Sequence, residues 1–131
     1  MLHIRNAHLD VLNILKQKKV EFGDKLRGDV HFFSGNIYEA QQYLDLGFTM
    51  SFTGVITFTK DYDEVIRYIP LDKIMSETDC PFVTPVPYRG QRNEPAFVQE
   101  IVKRIAEIKG EDFEIVKKAF SENAVRYFGL K

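Results

Sequence analysis

Two imidazoles and a carboxylate stand where a parallel α/β chain collects reactive groups. His3 lies in or just after the first apolar fragment, His31 in the second strand-like run, and Asp79 directly after the fourth. Strand carboxyl ends in such folds open on one face, so side chains placed there converge. Two His and one Asp make a partial ligand set for zinc, manganese or a similar divalent ion. Each residue also has a plainer reading. A lone strand histidine is more often a satisfied core or surface residue, and an aspartate just before Pro81 serves as a turn or capping residue. Glu77 suits either a carboxylate that orients a ligand from behind or an ordinary strand-end glutamate.

A second group lies in Tyr88-Arg89-Gly90-Gln91-Arg92-Asn93-Glu94-Pro95. Two guanidiniums around a glycine, beside an aromatic ring, suit phosphate: arginine grips oxygens bidentately, glycine allows close backbone approach, and Tyr88 offers a face for a base or sugar. The alternative is that Arg89 and Arg92 pin a long loop through carboxylates such as Glu94. Cys80 has no histidine near it in sequence and reads as a small buried or half-buried residue, not a nucleophile. His8 reads as a helix residue facing solvent.

Short apolar runs alternating with amphipathic stretches predict βα units and a parallel sheet. A helix is expected over 7–19, capped by Asn6, with Leu9, Leu12 and Leu15 on one face. Strands follow at 29–33, 48–52 and 73–77. Between them come a helix over 37–46, opened by an Asn36/Glu39 capping box and closed by Gly47, and a short helix from about Tyr62 to before Pro70, started by Asp61 and Glu64. Phe32, Phe33, Phe48 and Phe52 read as core. From Pro81 to Asn93 three prolines and no periodicity predict a structureless loop, which in a compact domain is more often functional than idle. Glu94-Pro95 opens a helix whose apolar residues are Phe97, Val98, Ile101, Val102 and Ile105, and which ends at Gly110; a last helix spans 112–128.

Composition sets the frame for this. At roughly 150 residues per domain, 131 residues predict one domain over 1–131. With 44% hydrophobic residues and 11 Phe, a packed core is expected rather than disorder. Eighteen Lys and Arg against 19 Asp and Glu leave a net charge of −1, so any grip on nucleic acid must be local. A single cysteine excludes an intramolecular disulfide and fits a reducing compartment. No apolar run approaches the roughly 18 residues of a membrane span, and the opening residues lack a signal peptide's apolar core, so the expected location is cytoplasmic.

The segments His3-Ile4-Arg5-Asn6-Ala7, His31-Phe32-Phe33-Ser34-Gly35, Leu46-Gly47-Phe48-Thr49-Met50-Ser51-Phe52-Thr53-Gly54, Glu77-Thr78-Asp79-Cys80-Pro81 and Arg89-Gly90-Gln91-Arg92-Asn93-Glu94-Pro95 resemble, in order, motifs of the TatD family of metal-dependent deoxyribonucleases. The closing Glu122-Asn123-Ala124 and Phe128 are similar to its C-terminal helix. The resemblance implies a partial TIM barrel: about four βα units, corresponding to strands five to eight of a (β/α)8 metal-dependent hydrolase. It implies His3, His31 and Asp79 as metal ligands from the fifth, sixth and eighth strands. To these our reading of the residues adds Asp79 as catalytic, Glu77 as an orienting carboxylate behind them, Arg89 and Arg92 seating the nucleic-acid backbone and Tyr88 stacking on a base or sugar. The implied cofactor is a divalent ion: Mg, Mn or Zn.

Some family features are absent. There is no His-x-His pair and no bridging glutamate of a fourth strand, Asn6 stands where the family usually has Asp, and Phe32 where it often has Cys. A full barrel takes about 250 residues. The resemblance therefore implies a C-terminal half that is a homo-oligomer or pairs with a complementing N-terminal half. It leaves open a nuclease, an inactive half-barrel acting as a subunit or binding module, and a hydrolase of some other ester or amide.

Overall fold

The alternation seen in the sequence becomes four parallel strands in chain order. The computed structural model describes residues 1–130, and in it β1 (Leu2–His3), β2 (Asp29–His31), β3 (Thr49–Phe52) and β4 (Ile74–Ser76) form one sheet, order β1-β2-β3-β4. Helices α1 (His8–Phe22), α2 (Ile37–Asp45) and α3 (Asp63–Tyr68) make the crossovers; α4 (Val98–Lys109) and α5 (Phe113–Phe128) follow β4. Among the described residues no helix is long and apolar enough to cross a membrane.

Register explains why one face of the sheet is oily and the other polar. Leu2 pairs with Val30, Val30 with Met50, and Met50 with Ile74, giving an apolar row that joins the core with Leu12, Tyr43, Ile66, Ile101, Ile105 and Val116 of the helices. Side chains alternate along a strand, so the neighbouring rows point the opposite way. Those rows hold Asp29 beside Thr49, and His3 beside His31 with Ser51 on the next strand. Thr-Met-Ser-Phe in β3 is this alternation in four residues.

The first helix departs from expectation. Asn6 does not cap it: Asn6 sits in the left-handed region at φ 53, and Ala7 takes the cap position without a side-chain hydrogen bond. The buried stripe is His8, Leu12 and Leu15, while Leu9 is 70% exposed. Two successive steps of three residues drift off a face that repeats every 3.6, whereas steps of four and three hold it. His8 accordingly turns inward, its Nδ1 3.1 Å from the Tyr43 hydroxyl and its ring against Phe33.

The second helix opens as expected: Asn36 Oδ1 accepts from the Glu39 N–H at 3.0 Å, and Glu39 returns a bond to the Asn36 N–H at 2.8 Å. The Asp61/Glu64 start signal is not used: α3 begins at Asp63 with Tyr62 in the cap position and no side-chain cap bond, and Asp63 itself accepts two bonds from Arg104 at 2.8 and 2.9 Å. β2 stops at His31, with Phe32 left-handed at φ 48, so that Phe33 rather than Phe32 enters the core.

The 81–93 loop contains no helix or strand, yet its polar groups are satisfied. Buried Asn93 donates to the carbonyls of Thr78 and Phe82 at 2.7 and 2.5 Å, and Thr84 donates to the Gln91 carbonyl at 2.7 Å. The loop crosses Gly54 so closely that a Cβ there would lie 2.2 Å from the Val83 carbonyl oxygen.

Candidate metal centre

His3 and His31 occupy paired positions on β1 and β2, and their rings stand 5.6 Å apart, centre to centre. Across the rim, His31 Nε2 is 3.7 Å from Asp79 Oδ1. Asp79 is held at φ 53, so three non-glycine residues just past strand ends, Asn6, Phe32 and Asp79, are left-handed around this rim. Such conformations cost about 1–3 kcal/mol each and cluster at functional sites.

Beneath the rim, Glu77 fixes His31. One carboxylate oxygen pairs with His31 Nδ1; the other accepts from the Phe32 N–H at 2.7 Å and from the Ser51 hydroxyl at 2.6 Å. Ser51 also lies 2.8 Å from Asp29 Oδ2, and Thr49 donates to Asp29 Oδ1 at 2.7 Å. Burial pushes the Asp29 carboxyl above its ordinary range, against the pull of the Thr49 and Ser51 hydrogen bonds. The Ser51 hydroxyl thus stands between the Asp29 and Glu77 carboxyls and can donate to either. Glu77 in turn holds the His31 ring from behind through Nδ1, which aims Nε2 at Asp79.

The donor chemistry fits part of a divalent site. Bonds of about 2.1 Å from an imidazole nitrogen and a carboxylate oxygen span a 3.7 Å separation at an open angle. A closed cage is not formed: among the described residues no three His, Cys, Asp or Glu side chains gather around one ion-sized point. His3, His31 and Asp79 share a rim as pairs, His3 to His31 and His31 to Asp79, without closing into a preformed cluster.

The loop group is used differently. Arg89 Nη1 donates to the Thr84 carbonyl at 2.8 Å and its guanidinium lies 4.0 Å over the Phe58 ring, contacts that tie it to its own loop and to Phe58 without involving Glu94. Tyr88 stacks on Phe97 at 4.1 Å, within 3° of parallel, which occupies one face of its ring. Arg92 is exposed. Cys80 is exposed too, not buried as its sequence context suggested: it sits in the turn after Asp79 that carries the chain away from the sheet.

Sequence reasoning singled out only Phe48 and Phe52 around β3 and gave Asp29 of β2 no role, and so missed Ser51, Thr49 and Asp29. The signal was present: Asp29 precedes His31 by two, which puts both on one strand face, and Thr49 and Ser51 repeat that spacing next door.

A parallel α/β sheet with histidines closing β1 and β2 and an aspartate just past β4 gathers its reactive groups at the carboxyl ends of its strands, where enzymes built on βα units keep their active sites. Residues 1–129 match the family model described as TatD related DNase, and the chain belongs to that family. It is 41% identical to the uncharacterized metal-dependent hydrolase YabD of Bacillus subtilis over 99% of this chain and 51% of that protein. It is 37% identical to the uncharacterized metal-dependent hydrolase YcfH of Escherichia coli K12 over 99% of this chain and 49% of that protein. Among solved structures it superposes on the TatD homolog YJJV from Escherichia coli K12 with a TM-score of 0.82 at 28% identity, covering 95% of this chain and 47% of the other. A TatD family hydrolase from Entamoeba histolytica gives 0.78 at 25% identity, covering 94% and 48%. The chain thus spans about half the length of the curated relatives it matches.

Proposed function

We propose that this chain is the C-terminal half of a (β/α)8 barrel, one domain over 1–131 supplying strands five to eight, and that it contributes to a metal-dependent deoxyribonuclease. The observation that carries the reading is His31, set by Glu77 on one nitrogen and turned towards Asp79 with the other. Kinship with proteins named metal-dependent hydrolases supports the metal, and the matched family's description supports DNA as the substrate.

His3, His31 and Asp79 would hold the ion. When bound, a divalent ion supplies Lewis acidity, drawing charge from a phosphate oxygen and making water a better nucleophile at neutral pH. Glu77 keeps the His31 Nδ1 proton in place and Nε2 free. Asp79, half-buried at the rim, would give Oδ1 to the ion and offer its second carboxylate oxygen as a proton acceptor beside the reacting phosphodiester. Arg92, exposed on the loop after β4, offers a bidentate grip on a neighbouring phosphate.

Two edges of the sheet, at β1 and β4, pair on one side only. Such edges recruit strands, so the barrel reading requires a second copy or a complementing N-terminal half to supply the remaining donors. Light scattering at micromolar concentration reads this directly: a stable, well-folded monomer would sink it.

The test of the metal reading is metal analysis of the purified chain, with DNA cleavage assayed with and without chelator. His31→Ala and Asp79→Ala are expected to remove bound metal; undiminished metal content in both variants refutes the assignment.

A further inference from the structure

The turn that aims Asp79 is gripped from the far end of the 81–93 loop. Asn93 is 3% exposed, and its Nδ2 donates to the Thr78 carbonyl at 2.7 Å and to the Phe82 carbonyl at 2.5 Å, across 15 and 11 residues of chain. We infer that Asn93 is a positioning residue: it fixes the backbone on both sides of Asp79 and so holds that carboxylate in the pose that faces His31. The inference deepens the metal-centre reading and rests on it for the role of Asp79.

Three observations carry it. The first is that Asp79 needs holding. It is left-handed at φ 53, which is unfavourable for a residue with a Cβ. Beyond Glu77, whose N–H donates to the Phe52 carbonyl at 3.1 Å, the chain has left the sheet. The second is where the grip falls. The Thr78 carbonyl shares one rigid peptide plane with the Asp79 N–H, so fixing the first fixes the second. On the other side the Phe82 N–H closes the turn onto the Asp79 carbonyl at 3.0 Å, the Phe82 carbonyl ends on Asn93 Nδ2, and the Asn93 N–H donates to the Pro81 carbonyl at 3.2 Å. The backbone is thus bracketed before and after Asp79, and its freedom is reduced to its side-chain rotamers. The third is that the grip is fully committed. A side-chain amide has two N–H donors and one oxygen. Nδ2 makes both donations, and Oδ1 accepts from the Glu94 N–H at 2.9 Å. Aspartate of the same size has the oxygen without the donors, so it cannot replace Asn93.

A plain loop tether has a different reach. Thr84 is also buried, and its hydroxyl ties the same loop to itself through the Gln91 carbonyl at 2.7 Å, with no bond to Thr78 or Phe82. Of the two, Asn93 alone reaches the backbone around Asp79, whose Oδ1 stands 3.7 Å from His31 Nε2. Releasing Asn93 frees the turn, and the carboxylate then spends part of its time away from the ion's side. Removing a partner that orients a metal ligand typically weakens metal binding about 10–100-fold.

Nitrogen-15 relaxation of the full chain in chelator reads the hold on the turn without metal or activity. In the native chain the Asp79 and Cys80 amides should be as rigid as the sheet, with order parameters of about 0.85, falling towards about 0.6 in Asn93→Ala and Asn93→Asp but not in Thr84→Val. Zinc titration by calorimetry is the second readout. Each Asn93 variant should bind about tenfold more weakly than the native chain, Thr84→Val should bind as the native chain does, and Asn93→Ala should add no further loss in an Asp79→Ala background. Unchanged order parameters at Asp79 in both Asn93 variants, an equal fall in Thr84→Val, or a loss of zinc affinity that persists undiminished in the Asp79→Ala background would each overturn the inference. If both Asn93 variants fail to fold, the native chain decides: scalar couplings through the hydrogen bonds from Asn93 Nδ2 to the Thr78 and Phe82 carbonyl carbons are expected, and their absence overturns it. A native chain that binds no zinc loses the metal centre of the proposed function, while relaxation still decides whether Asn93 holds the Asp79 turn.

Discussion

The Ser51 hydroxyl and the Glu77 carboxylate meet at 2.6 Å beneath His31, joining the buried interior of β3 to the rim of the sheet. Ser51 thereby acts on His31 through Glu77, and its loss should be felt in two separable ways. Ser51→Ala leaves Glu77 with the Phe32 N–H and His31 alone and strips one partner from buried Asp29, an expected loss of about 1–3 kcal/mol in urea unfolding. Glu77→Ala removes the acceptor that keeps the Nδ1 proton, and removing such an orienting partner typically weakens metal binding about 10–100-fold. Nitrogen-15 chemical shifts of the His31 ring distinguish positioning from mere destabilisation: the ring should sit in one tautomer in the native chain and in a mixture in Glu77→Ala. A single unchanged tautomer in that variant would show that Glu77 does not set it.

Much of this was legible in local spacing. Alternating apolar runs and amphipathic stretches marked the parallel βα order, and the Asn36/Glu39 pair marked the start of α2 to the residue, because capping is decided within four residues of chain. The rim residues His3, His31 and Asp79 could be picked out because strand ends fall at predictable places. What stayed hidden depends on contacts distant in sequence. The Asp61/Glu64 start signal goes unused while Asp63 pairs with Arg104, 41 residues away, His8 turns inward to meet Tyr43, and the Arg89 guanidinium lies over Phe58. Register, which sets His3 beside His31 and Ser51 between Asp29 and Glu77, cannot be read from one strand at a time.

Gly54 makes a prediction of the opposite kind, where absence of a side chain is the requirement. The Val83 carbonyl would lie 2.2 Å, and the Pro85 nitrogen 2.9 Å, from a Cβ at this position. Both neighbours are backbone, so relief demands that the 81–93 loop lift off the sheet. Gly54→Ala is expected to cost about 1–3 kcal/mol from overpacking and to expose the loop to protease. Native resistance of that segment in the variant would show that the loop yields more easily than its internal hydrogen bonds suggest.

The Asp63–Arg104 pair holds α3 to α4. Both side chains are largely buried, and Arg104 also donates to the Ile56 carbonyl at 3.2 Å. Removing one partner leaves a desolvated charge: Asp63→Ala should destabilise by about 3–5 kcal/mol, while replacing both residues with apolar ones of similar volume should recover most of it. A double-mutant cycle on thermal or urea midpoints measures the difference, and simple additivity would show that the two residues do not act as a pair.

Tyr43 gives the stability of the chain a defined alkaline limit. Its side chain is fully buried, and burial, with a smaller contribution from the Glu39 charge, pushes the phenol from its ordinary 10 up to about 12. Below pH 10 the folded and unfolded phenols are both neutral and this group adds no pH dependence. Between pH 10 and about 12 the unfolded chain releases a proton that the folded chain retains, so stability falls as pH rises, by up to about 1.4 kcal/mol per pH unit from this residue. Tyr43→Phe removes that component and also leaves His8 Nδ1 without the hydroxyl 3.1 Å away, so the variant should be less stable at neutral pH. The gap between native and variant urea midpoints should then narrow steadily above pH 10. Parallel curves through that range would mean the buried phenol ionises no later than an unfolded one.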